Sequence, residues 1–361
     1  MGKQVLSILQ NEHGVMIRCS DNQTHHGDIL VGADGAYSGV RQSMYNQLKK
    51  EKKLLKRDDG VLPFTSTYLI GQTDPLDPKE FPEIEEEHCR CFSIMSGKYP
   101  YSRTFTTSQN TICWMLVHHL DKNTAKDNDA FRNSEWGPEA AEQMCKQIGH
   151  FPVPGGNGKL TMKDLIDRTP KDLISKVMLE EKLFDTWYYR RTDLLGDDEL
   201  TSQILTSYAF NITTYTNTLL FPCNLAMHPA AGQGAVNAMQ DAIVLANMIS
   251  SLGTKDVKDI ENIFKAYRAE RRPLARDSYK MSQTLSKTIE KSLYGAIVRY
   301  TMKNMPAWLN KITMGKMVVN RSQLLLLPRA EDKGIVKALK QPSLLCIPAF
   351  PLPDQGAPAA V

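Results

Sequence analysis

The chain has 361 residues, a formal charge of +4, 42% hydrophobic and 23% charged residues. That length buries a sizeable core and fits two domains, or one large domain with an appendage, in an ordinary soluble composition. So mild a charge argues against nucleic acid as a partner, and no apolar run is long enough to span a bilayer.

Val5, Ser7 and Leu9 alternate with other residues, and Val15, Ile17 and Cys19 do so again after the turn "NEHG", which predicts a hairpin. "SDNQTHHGD" reads as a second turn, and "ILVGADG" as a strand buried on both faces. "AYSGVRQSMYNQLKK" predicts an increasingly basic helix, followed by a charged loop over 51–61. From about 62 to 120, "FTSTYLIGQT", "HCRCFSIMSG", "SRTFTTS" and "NTICWMLVHHL" predict a mostly antiparallel sheet. Helical spacing is read from "SEWGPEAAEQMCKQIGH" through "LISKVMLEEKLFDTWYYRR".

"DLLGD" (193–197) then predicts a short apolar strand, and "HPAAGQGA" a glycine-rich turn feeding a long helix. Ala235, Ala238, Met239, Ala242, Leu245, Ala246 and Ile249 give that helix a stripe of small and apolar residues. "DVKDIENIFKAYRAERRPLARDSYKMSQTLSKTIEKSLYGAIVRYTMK" predicts amphipathic helices broken at Pro273, and a Pro- and Ala-rich tail follows "LLLLPRAEDKG".

The seven cysteines (Cys19, Cys89, Cys91, Cys113, Cys145, Cys223 and Cys346) are scattered, and Cys89 and Cys91 are too close for a zinc knuckle. Reduced thiols are the economical reading. His25–His26 and His118–His119 are adjacent pairs, which on a strand point to opposite faces, so no metal is expected. The opening "MGKQVLSILQNEHG" lacks the apolar stretch of a signal peptide, and a cytoplasmic setting is expected.

Three features carry chemistry together: "GADG" after a strand, "LLGD" after a strand, and "HPAAGQGA" opening a helix. Taken singly, each is turn chemistry; Gly35 alone could serve a tight turn. In combination they suit a flat, phosphate-bearing ligand. Strand-end carboxylates such as Asp34 accept hydrogen bonds from ligand hydroxyls, glycines such as Gly232 and Gly234 admit a planar group, and a helix start offers unpaired amides.

"GDILVGADGAYSGVR" and "LLGD…HPAAGQGAVNAMQDAIVLA" resemble two signatures of FAD-dependent monooxygenases of the para-hydroxybenzoate and salicylate hydroxylase type, above all fungal members of secondary metabolism. The resemblance runs from residue 14 to about 343 and is strongest at 28–41 and 229–247. It implies that Asp34 and Gly35, completed by Ser38 and Arg41, belong to a motif that contacts flavin and supports nicotinamide docking. It implies that Asp197, after Gly196, binds the ribityl hydroxyls, and that Pro229, Gly232, Gln233, Gly234 and Ala235 pass along the flavin ring and pyrophosphate. The implied reaction reduces FAD with NADPH or NADH and, through a flavin hydroperoxide formed with O2, hydroxylates or epoxidises an organic small molecule. Tyr68, Tyr99, Tyr101 and Arg103 are the polar candidates on the substrate-side sheet; Trp114 reads as core.

Two departures stand out. The family's opening GxGxxG unit has no counterpart before Asp28, so N-terminal truncation is expected, with weakened FAD binding. An insertion over about 198–226 separates Asp197 from Pro229; it has no charged residue after Glu199, and its Thr-, Asn-, Leu- and Tyr-rich composition reads first as translated intron and second as a lid hairpin.

The expected fold is thus α/β (α+β): a remnant of a Rossmann-like FAD-binding domain over 1–61 and 191–260, an antiparallel-sheet substrate domain over 62–190, and C-terminal helices and tail over 261–361. The alternative function is a non-catalytic remnant binding a small molecule or a partner. Membrane contact through the basic helices at 261–303 and "LLLLP" is weighed and not favoured, since such helices more often pack on the main domain.

Overall fold

The computed structural model describes residues 3–35, 38–60, 64–85, 90–94, 101–119, 138–154, 159–180, 182–195, 225–226, 234–287 and 293–306, with isolated positions between 308 and 337. The hairpin forms as its alternation requires. Strands β1 (Val5–Gln10) and β2 (Val15–Cys19) pair antiparallel, with Ile8 opposite Ile17. The expected second turn is only half a turn: Thr24–Gly27 forms edge strand β3, with His25 opposite Ile17. All four residues of β3 are exposed, so no hydrophobic alternation marks it.

Strand β4 (Leu30–Gly32) leads into helix α1 (Gly39–Lys50). The helix lays Val40, Met44 and Leu48 against Ile8 and Val15 of the meander. Gly39 is required there, because a Cβ would stand 2.1 Å from the Val5 carbonyl oxygen.

The β-rich middle region forms one antiparallel sheet in the order β6-β7-β8-β5-β9. Its strands are β5 (Phe64–Gln72), β6 (Cys91–Ile94), β7 (Tyr101–Thr106), β8 (Ile112–His119) and β9 (Ser175–Glu180). One face packs Leu69, Trp114 and Leu116 under helices α2 (Pro138–Ile148) and α3 (Met162–Ile166), through Ala141, Met144, Met162 and Leu165. Thr161 and Asp164 close a reciprocal capping box on α3.

Residues 175–180 correct the helical reading of "LISKVMLEE". Val177 lies opposite Tyr68 and Met178 opposite Thr67, so a helix-prone run becomes an edge strand because β5 offers it a partner. Further along, β10 (Lys182–Leu183) pairs with β13 (Leu225–Ala226), and β11 (Tyr188–Tyr189) with β12 (Thr192–Leu194). Strand β12 returns beside β4 and runs parallel to it, Asp193 opposite Val31.

Helices α4 (Gly234–Ser250) and α5 (Val257–Lys287) close the parallel pair, with Val244, Leu245, Met248, Ile260, Phe264 and Tyr267 in one core with Trp187 and Leu195. The buried face of α4 takes in Ala238 and Leu245 of the small and apolar stripe but adds polar positions. It runs through Asn237, Asp241, Val244 and Met248, while Met239 is 57% exposed. The polar positions set that face because Arg271 of α5 ion-pairs with Asp241 inside the core. Helix α5 is also unbroken at Pro273. Arg271 and Arg272, just before the proline, bind Asp241 and Asp185, anchoring the helix where the ring removes a hydrogen bond. Helix α6 (Leu293–Lys303) follows.

Candidate functional site

The parallel strands β4 and β12 end at the same edge of their sheet, the position where open α/β sheets bind ligands. Strand β4 runs on to Asp34 and Gly35. Gly35 is buried with φ at 83°, a left-handed turn that suits glycine. Asp34 is exposed and its carboxylate serves the helix that follows: Ser38 Oγ donates to Oδ1 at 2.5 Å and the Val40 amide to Oδ2 at 3.2 Å. Ser38 in turn is the N-cap, accepting from the Arg41 amide at 2.8 Å. The motif "DGAYS" therefore builds a capped helix start whatever else it binds.

Arg41 is 8% exposed and lies over the Phe184 ring at 4.5 Å, in a small polar pocket with Tyr45, Asn46 and Lys49. Gly234 is buried at the first position of α4 and Ala235 is exposed beside it; the first turn of α4 holds no acidic residue to offset its positive end. Gly196, Asp197, Pro229, Gly232 and Gln233, with the 198–226 insertion apart from β13, lie outside the described residues, as does Tyr99.

The substrate-side candidates share a surface. Tyr101, Val117 and Tyr68 form one cross-strand row and Ser93, Arg103, Met115 and Ile70 the next, with Tyr68, Ile70, Tyr101, Met115 and Val117 clustered on the face opposite α2 and α3. Tyr68, Ile70, Tyr101, Met115 and Val117 are buried there as a separate apolar cluster. Burial pushes the Tyr101 phenol up to about 12 against the pull of nearby Arg103, so it stays a neutral hydrogen-bond donor. Arg103 lies 5.7 Å from the Tyr101 ring centroid and 5.6 Å from that of Phe105, and its buried Nε has no hydrogen-bond partner among the described residues. Trp114 faces the other way, into the helix-covered core, as expected of a core residue.

Some structural residues left little trace in the sequence. Arg191 is 1% exposed and donates to the carbonyls of Asn11, Glu12, Asp28 and Lys255, tying the meander to the start of α5. Asp193 is wholly buried, and among the described residues neither oxygen meets a well-placed hydrogen-bond donor. Burial, with Asp241 beside it, holds its carboxyl well above the usual range; the Leu194 amide offsets only part of this. One signal was available: a charge inside the otherwise apolar run "TDLLG".

No protein-family profile matches the chain. Its sequence is 26% identical over 258 residues to FAD-dependent monooxygenase pyr5 of Aspergillus fumigatus, covering 70% of this chain and 46% of that protein. It is 27% identical over 262 residues to FAD-dependent monooxygenase ausM of Emericella nidulans, covering 71% and 46%. The chain is similar in sequence to fungal FAD-dependent monooxygenases. It spans about half the length of these curated relatives. In fold it is similar to Klebsiella pneumoniae HpxO, solved with FAD and uric acid (TM-score 0.54, 17% identity, covering 88% of this chain and 66% of that one). It is likewise similar to 2,6-dihydroxypyridine-3-hydroxylase from Arthrobacter nicotinovorans (TM-score 0.52, 12% identity, 80% and 64%). The fold class read from the sequence is the one these FAD-binding hydroxylases share.

Among the described residues, the chemistry of this strand edge and helix start is compatible with a flavin. The strand edge carries Asp34 and Gly35, and α4 starts on small residues with its positive end uncompensated, which suits the electron-rich edge of a flavin ring.

Proposed function

We propose that this chain supplies the flavin-ring side and the substrate sheet of an FAD-dependent monooxygenase acting on an organic small molecule, with NADPH or NADH as reductant and O2 as co-substrate. The observation that carries the reading is the parallel pair β4–β12, whose carboxyl ends lead into "GADG" and "LLGD" with α4 packed against them. FAD, when bound, supplies electron transfer and oxygen activation. In this reading Asp34, Gly35, Ser38 and Arg41 form the strand-end motif at its ring, and Asp197 holds its ribityl chain. Pro229, Gly232, Gln233, Gly234 and Ala235 line its path.

The chain's own work is to position the substrate and keep water out. The apolar face of Tyr68, Ile70, Met115 and Val117 receives the substrate body. The neutral Tyr101 phenol and the Arg103 cation orient its polar end.

Purification with added FAD tests the reading. A yellow protein that retains flavin on gel filtration, and whose NADPH or NADH oxidation rises with substrate, is the expected result. A colourless product that binds apolar small molecules without flavin assigns the chain to a non-catalytic binding role instead.

A further inference from the structure

Helix α4 is held from one side, close to the end that starts it. Arg271 of α5 is 2% exposed and reaches two successive turns of α4 at once. Its Nε ion-pairs with Asp241, and its Nη2 donates at 3.4 Å to both the main-chain and the side-chain oxygen of Asn237. Two turns further along α5, Ser278 Oγ accepts from Asn237 Nδ2 at 3.1 Å. Asn237 and Asp241 are both buried, so bulk water competes little for these bonds.

Asn237 lies in the first turn of α4, which begins at Gly234. The amides of Gly234, Ala235 and Val236 have no acceptor within the helix, and no acidic side chain stands in that turn. Adhesion between α4 and α5 does not by itself call for this network. An apolar pair of similar volume holds two helices together as well or better, because burying an ion pair carries a desolvation cost that its attraction only partly offsets. Apolar contact leaves a helix free to slide along its axis by fractions of a turn. A guanidinium bonded to two turns, with a hydroxyl bonded to the first, fixes one register. Register matters at this end, because the effect of a helix terminus on a charge fades within a turn and a misplacement of about 1 Å can cost about 100-fold in rate.

We propose that Arg271 is a positioning residue: with Asp241, Asn237 and Ser278 it clamps the first turn of α4 at the height where its free amides meet the flavin ring. The inference rests on the flavin reading above, and Arg271 acts in it through α4 alone.

Three variants of the full chain separate the clamp from the stability of the core. Arg271→Met/Asp241→Leu removes both charges together, and its urea midpoint should match or exceed that of the wild type. Arg271→Lys keeps the charge without the two-turn reach, and Ser278→Ala removes one bond to Asn237. Hydrogen exchange is read first, without added FAD. The amides of Ala238 to Asp241, which bond back to the first turn, should exchange about tenfold or more faster in the double variant, those of Val244 to Met248 at the wild-type rate. The single variants should show the same pattern a few-fold, and they carry the test if the double variant does not fold. With FAD added, the double variant should hold reduced flavin about tenfold more weakly relative to oxidised, a midpoint about 30 mV lower for the two-electron couple. Unchanged exchange at 238–241 would overturn the clamp whatever the flavin does. A wild type that retains flavin at a potential the double variant shares would overturn the positioning role alone. A wild type that retains no flavin would overturn the flavin reading and the positioning role with it.

Discussion

Asp193 and Asp241 are both buried and repel one another, and of the two Asp241 holds the ion pair with Arg271 while neither Asp193 oxygen meets a well-placed hydrogen-bond donor among the described residues. With Arg271 paired to Asp241, the second buried carboxylate adds a negative charge that burial makes costly unless a proton neutralises it. Because the folded Asp193 carboxyl titrates well above its ordinary 3.8, the folded chain binds a proton that the unfolded chain has already released. Its contribution to stability is therefore complete below the ordinary value and is lost as pH rises through the raised one. Asp193→Asn should remove this slope and match or exceed the wild type at neutral pH, by about 1–3 kcal/mol. The difference should shrink on acidification, as measured by urea unfolding across pH. A variant less stable than the wild type at neutral pH would contradict the protonated assignment.

Gly71 touches Trp114 across the middle sheet. A Cβ there would stand 2.4 Å from Cζ2 and 2.6 Å from Cε2 of the indole, whose Nε1 donates to Thr169 Oγ1 at 3.0 Å. The ring is 1% exposed and has no room to retreat. Gly71→Ala should lower stability by about 1–3 kcal/mol in thermal unfolding. Gly253→Ala, where nothing lies within 4 Å, is the matched control and should change little.

Arg103 offers the test of the substrate face. The residues that pair across its row are Ser93 and Met115, and neither carries a charge. Arg103→Gln should raise the KM for a substrate with an acidic or strongly polar group by about tenfold or more, the loss of a charge-assisted hydrogen bond. Bound flavin and substrate-free NADPH oxidation should be unchanged. An equal loss of flavin would place Arg103 in structural support of the fold.

Thiol labelling reads the local environment independently. Burial pushes the Cys145 thiol up to about 11, while Cys91 is exposed at the edge of the middle sheet. Because the thiolate is the nucleophile, iodoacetamide at pH 8 should modify Cys91 well before Cys145, as followed by peptide mass spectrometry. Cys145 should speed up only as pH rises toward 11 or the protein unfolds.

The sequence by itself determined what rests on neighbours a few positions apart. The hairpin, the helix starting at Gly39, the β-rich stretch from 64 to 119 and the helix from Gly234 all follow from local periodicity and turn residues. So does the capped turn at Asp34–Ser38, a spacing of four that needs no distant partner. Only the tertiary structure decided the rest. Residues 175–180 became a strand because β5 had an open edge, and α5 passed Pro273 because Asp241 and Asp185 hold the arginines before it. Tyr68, Tyr101 and Arg103 came onto one face through strand register, and α6 turned its apolar side outward. Burial and pairing depend on residues far apart in the chain, and a local pattern carries no information about which partner will be there.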